Sequence, residues 1–79
     1  MDEAEAGKAQ FLELVKNLDP AVQVVIPTAA SNSVYLISLT KGPNRRFISL
    51  PEDDILDLPQ EADIQTKVRE LVRNAISGL

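Results

Sequence analysis

Apolar and polar positions alternate along this chain with two different periods, and the change of period marks the elements. Between residues 2 and 18, Ala4, Lys8, Phe11, Val15 and Leu18 recur at spacings of three and four, and Leu14 widens the stripe, which predicts an amphipathic helix. Gly7 weakens its first turn, so order is expected from about Lys8, with residues 1–7 a candidate disordered segment. Asp19-Pro20 ends the helix, because a residue before proline avoids the helical region. Val22 to Pro27 is rich in β-branched residues and reads as a strand, and Ser33 to Thr40 reads as a second, after the small polar loop Thr28–Asn32. Lys41-Gly42-Pro43-Asn44 is a turn, followed by a third strand over Arg45 to Leu50. The two short connections predict an antiparallel meander.

Pro51 then occupies what reads as a first helical position, with Glu52, Asp53 and Asp54 behind it, where free amides and the helix dipole favour acids. A short helical turn over 51–57 follows, then a break at Leu58-Pro59. The last helix is predicted from about Gln60 to Ser77, with Ile64, Val68, Leu71, Val72, Ala75 and Ile76 on its apolar face and Gly78 as its end signal. Glu61, Lys67, Arg69, Glu70 and Arg73 fill the other face. The fold class expected is therefore α+β. Residues 1–79 are expected to form one small domain, with a three-stranded antiparallel meander in α-β-β-β-α order and both terminal helices packed on one face.

The second hairpin fixes a register. A loop at Gly42-Pro43, or over all of Lys41 to Asn44, gives the same pairing: Thr40 opposite Arg45, Leu39 opposite Arg46, Ile37 opposite Ile48 and Tyr35 opposite Leu50. One face then carries Tyr35, Ile37, Leu39, Ile48 and Leu50 and should receive the helices. The other carries Val34, Leu36, Ser38, Phe47 and Ser49, with Thr40 and Arg45 at its end. The first strand fits this scheme with Val22, Val24 and Ile26 inward and Gln23 and Val25 outward, although a slip of one residue would reverse it. Two substantial helices leave the second face short of cover. Val25, Leu36 and Phe47, with Val34 as a further candidate member, there form an apolar island ringed by Gln23, Ser38, Ser49, Thr40 and Arg45, a pattern associated with interaction sites. The competing expectation is that the 51–57 turn or the N-terminus lies over it.

Composition narrows the chemistry. The 79 residues include no His and no Cys, which excludes a Ser–His–Asp arrangement, a disulfide framework and a thiolate zinc site. No glycine-rich phosphate loop is present. The apolar fraction of 44% suits a globular domain, and with three aromatics the core must be mostly aliphatic. A net charge of −4 opposes non-specific attraction to nucleic acid or an anionic membrane. The acidic opening Met1–Glu5 lacks the apolar core of a signal peptide, and no apolar stretch is long enough for a membrane span. The absence of Cys fits a cytoplasmic setting.

Two charge clusters remain. Glu52, Asp53, Asp54, Asp57, Glu61 and Asp63 lack the spacing of a calcium loop and read as acids at two helix starts, so no metal and no cofactor is expected. Lys41, Arg45 and Arg46 lie at the hairpin tip, where cations discourage edge-to-edge association and where Arg can also meet phosphate. The order helix–strand–strand–strand–helix is also that of double-stranded RNA-binding domains. In those a lysine-rich stretch opens the second helix. Here Pro59-Gln60-Glu61-Ala62-Asp63 is acidic, and only the order is in common. Lys8, Lys16, Lys41 and Lys67 read as solvated, and Asp53 and Asp54 point apart on a helix, so no catalytic group is assigned. The expected function is a small non-catalytic interaction or regulatory module. Its candidate interface is Val25, Leu36, Phe47 and Arg45, and its partner is a protein or a second copy of the chain. The alternative is a nucleic-acid-associated accessory protein contacting its target through Lys41, Arg45 and Arg46. No small-molecule substrate is evident.

Overall fold

The computed structural model describes residues 3–79. The order is α1 (Glu3–Leu18), β1 (Gln23–Val25), β2 (Val34–Lys41), β3 (Asn44–Pro51), α2 (Glu52–Asp57) and α3 (Ala62–Ser77). The strands form one antiparallel sheet in the order β1-β2-β3, which makes the domain α+β. The register is the one the alternation dictates, with Tyr35 opposite Leu50, Ile37 opposite Ile48, Leu39 opposite Arg46 and Thr40 opposite Arg45. On the other side of β2, Val24 pairs with Leu39 and Val25 with Ser38, so β1 is in the register that turns Val22, Val24 and Ile26 inward.

The helices cover the inner face. Phe11, Val15, Ile37, Leu39, Leu50, Ile55, Leu58, Val68 and Val72 are fully buried in one core. Removing each such side chain from water contributes about 1.5–3 kcal/mol before the entropy of ordering is counted. The α3 stripe is narrower than its apolar sequence: Val68, Val72 and Ala75 are buried, whereas Leu71 lies exposed on the flank.

Gly7 corrects the expectation that order begins near Lys8. The helix runs from Glu3, and Gly7 is a buried contact rather than a weak point. The backbone carbonyl of Ile55 in α2 lies where a Cβ would stand, so only glycine lets α1 and α2 approach this closely. Residues 1 and 2 lie outside the described residues.

The turns explain where the strands stop. Gly42 has φ of +60°, which a two-residue hairpin loop needs at its first position, and Lys41 pairs with Asn44 directly across it. Before β2, Asn32 and Ser33 both take positive φ (52° and 62°), and Ser31 and Val34 exchange backbone hydrogen bonds around them. β1 is shorter than the predicted Val22–Pro27 segment; Pro27, with no N–H, cannot extend the ladder. Pro51 is the last residue of β3 and the N-cap of α2, with ψ of 144°, rather than a first helical residue. α3 begins at Ala62, two residues later than predicted. Gln60 and Glu61 instead close a turn by donating to the Asp57 carbonyl.

Candidate functional site: the open face of the sheet

The outer face is built by rows across the strands. Gln23, Thr40 and Arg45 form one row, and Val25, Ser38 and Phe47 the next. Leu36 and Ser49 form the third, and Val34 and Pro51 the last. Val25 and Phe47 thus flank Ser38, with Leu36 one row along. Their relative exposures are 64%, 55% and 56% for Val25, Phe47 and Leu36, against at most a few per cent for the inward Tyr35, Ile37 and Leu39. The short helix α2 does not cover this island, because its Ile55 and the following Leu58 are buried in the core on the helix side.

The basic residues of the hairpin diverge. Lys41 belongs to the inner row and its Nζ donates to the Asp19 carboxylate at 2.7 Å. That bond, together with one from the Ala21 amide, holds the Asp19 carboxyl below the usual carboxylate range. Arg46 also takes the inner side, and its guanidinium rests against Gly78 at the end of α3, where the helix dipole favours a cation. Arg45 alone lies on the outer face. It is exposed and forms no ion pair among the described residues. The structure therefore brings Val25, Leu36, Phe47 and Arg45 onto one surface, and does not gather Lys41, Arg45 and Arg46 into one.

Charge is distributed by layer. The strands hold three cations and no acid, whereas all twelve acids of the chain lie in the helices, the connections and the first residues. One of those acids is structural in a way the sequence pattern concealed. Asp54 is buried, and Lys67 of α3 donates to it at 2.9 Å, tying α2 to α3. Lys8 is similarly engaged, donating to the Thr28 carbonyl at 3.0 Å with its Nζ 5.2 Å from the Tyr35 ring centre. Of the lysines read as solvated, Lys41 and Lys67 are indeed exposed, yet each reaches a carboxylate on another segment, and Lys8 reaches a distant carbonyl. These pairs join residues 13 to 27 positions apart, so no local spacing signals them.

A second concavity escaped the sequence reading. Glu5, Lys8, Ala9 and Leu12 of α1 face Val24 and Ile26 beside the β1 edge, around a shallow groove of about 340 Å³. Leu12, 46% exposed, was the available signal: it falls just off the buried stripe next to Phe11. Among the described residues there is no group of three or more acidic side chains placed to hold a metal ion, and no helix is long and apolar enough to cross a membrane. No family model matches this sequence, and neither a curated protein nor a solved structure matches it.

Proposed function

We propose that this chain is a small non-catalytic interaction or regulatory module that works through the outer face of its sheet. The observation that carries this reading is the clustering of Val25, Leu36 and Phe47, each more than half exposed, on a face that the helices leave uncovered. Val25 and Phe47 flank Ser38 and Leu36 lies diagonal to both, a cluster on one face rather than the scattered single exposures found on any surface. Ser38, Ser49, Thr40 and Gln23 surround them with groups able to exclude water and fix orientation, and Arg45 supplies a charged anchor. Each apolar anchor is already partly buried, so covering it gains roughly 1 kcal/mol. The contact is accordingly weak and reversible. A reducing cytoplasmic setting belongs to the same reading, supported by a sequence without Cys.

The test is Phe47→Asp. We expect the variant to keep the parent's unfolding midpoint, within about 0.5 kcal/mol of stability, as for a surface position. Self-association, or a partner complex captured from native extract, should be lost. If Phe47→Asp unfolds the domain, the face is core and the reading fails.

A further inference from the structure

We infer that the open face receives an amphipathic helix from a partner protein, apolar along one stripe and bearing carboxylates beside it, rather than a second copy of this chain. This rests on the reading of the face as an interaction surface and adds the identity of its occupant. Three lines of argument converge.

The first is size. Strands lie about 4.8 Å apart, so three of them span roughly 10 Å between the outer two, and eight residues extend about 26 Å. An α-helix is about 10 Å across, and 16 residues of it reach about 24 Å. Helices of 16 residues, α1 and α3, already lie on the other face of the same sheet, so the face matches a helix in length, while its width does not limit it to one. The second is area. The outer face offers roughly 260 Å² on these dimensions, less where β1 stops after three residues. A stable interface between two folded proteins takes about 800 Å² from each. Two copies meeting face to face would bury only about a third of that on each side. A helix needs only its stripe covered, and such helices bind grooves through a few anchors spaced three and four residues apart.

The third is charge. The strand positions of the outer face include no carboxylate and one cation, Arg45, which has no ion-pair partner among the described residues. A second copy would bring another Arg45 and the same acid-free strands. A helix with carboxylates flanking its stripe answers Arg45 with a charge-assisted hydrogen bond.

The experiment uses the full chain and a displayed library of 18-residue peptides on one amphipathic helical frame, with stripe and flanking positions randomised. Selection should enrich acidic over basic flanks. The fluorescently labelled winner should bind at least about tenfold more weakly to Phe47→Ser, Leu36→Ser and Arg45→Glu, each checked by circular dichroism to be folded. A proline in the middle of the winner, which breaks the helix, should cost at least as much. Replacing its acids by Lys should restore binding to Arg45→Glu.

Winners with basic flanks, or winners indifferent to the proline, overturn the helix while leaving the face as an interaction surface if Phe47→Ser still weakens them. Sedimentation showing a micromolar dimer that Phe47→Ser dissolves assigns the face to a second copy and overturns the helix alone. A low-salt gel shift with duplex RNA that is lost in Arg45→Glu assigns the face to nucleic acid and overturns the helix. An absence of enrichment, or binding untouched by both Phe47→Ser and Leu36→Ser, removes the interaction surface altogether.

Discussion

The two faces of the sheet are made from neighbouring residues of the same strands and meet opposite fates. Along β2, Tyr35, Ile37 and Leu39 are buried, while Leu36 between them is more than half exposed. Hydrophobicity does not separate them, since Leu36 and Leu39 are the same residue type. What separates them is which side the helices take. That choice is made by the stripes of α1 and α3, which meet the face with five apolar residues over β2 and β3 in preference to the one ringed with Ser, Thr and Arg. A face left over in this way is free to evolve for contact, whereas the covered face is committed to stability.

The comparison is broken most directly by truncating one leucine on each side. Leu39→Ala removes a fully buried side chain from between β1, β3 and the helices and should cost about 2–5 kcal/mol. Leu36→Ala should change stability by no more than about 0.5 kcal/mol. Urea unfolding of both variants reads the difference, and equal losses would show that the outer face is packed after all.

The covered side also contains the position where local propensity and packing conflict. On propensity alone, Gly7→Ala should stabilise α1 by up to about 1 kcal/mol. The added methyl instead overlaps the Ile55 carbonyl, which is backbone and cannot rotate away. The net expectation is a loss of about 1–3 kcal/mol, as for other overpacked sites. A Gly7→Ala variant as stable as its parent would mean that α2 shifts freely relative to α1, and that Ile55 and Leu58 are held less firmly than their burial implies.

How much of this was legible in the sequence follows from the range of the interactions concerned. The register of β2 and β3 could be read because a period of two ties each side chain to a face, and the Gly42-Pro43 turn fixes which residues are opposite. The outer island of Val25, Leu36 and Phe47 follows from the same arithmetic. Gly7 was misread because its reason lies 48 positions away at Ile55; seen locally, glycine in a helix is only a defect. Asp54 and Lys67 looked like a helix-start acid and a solvated lysine, and their pairing appears only once α2 folds back on α3. The hairpin cations illustrate the converse. Lys41, Arg45 and Arg46 are a cluster in the sequence, yet the alternation that exposes the apolar island also sends Arg46 to the opposite side from Arg45.

The smallest expected effect lies at the rim, where the inner row runs past the helices. Lys41 continues the row of Tyr35, Ile37 and Leu39 but finds Asp19 beyond the end of α1 instead of a core. Its hydrogen bond lowers the Asp19 pKa in the folded state relative to an unfolded value near 3.9. The unfolded chain therefore binds this proton more readily. The pair's contribution is present in full above about pH 4 and is lost as pH falls through the lowered folded value. Carboxyl chemical shifts followed between pH 2 and 6 should show Asp19 titrating below the ordinary aspartate range, and Lys41→Ala should move its midpoint upward. The Ala21 amide still donates to Asp19 in that variant, so the return should stop short of the unfolded value. An Asp19 midpoint unchanged by Lys41→Ala would place the Lys41 side chain in solvent, leaving the hairpin tip to meet the covered side through Arg46 against Gly78.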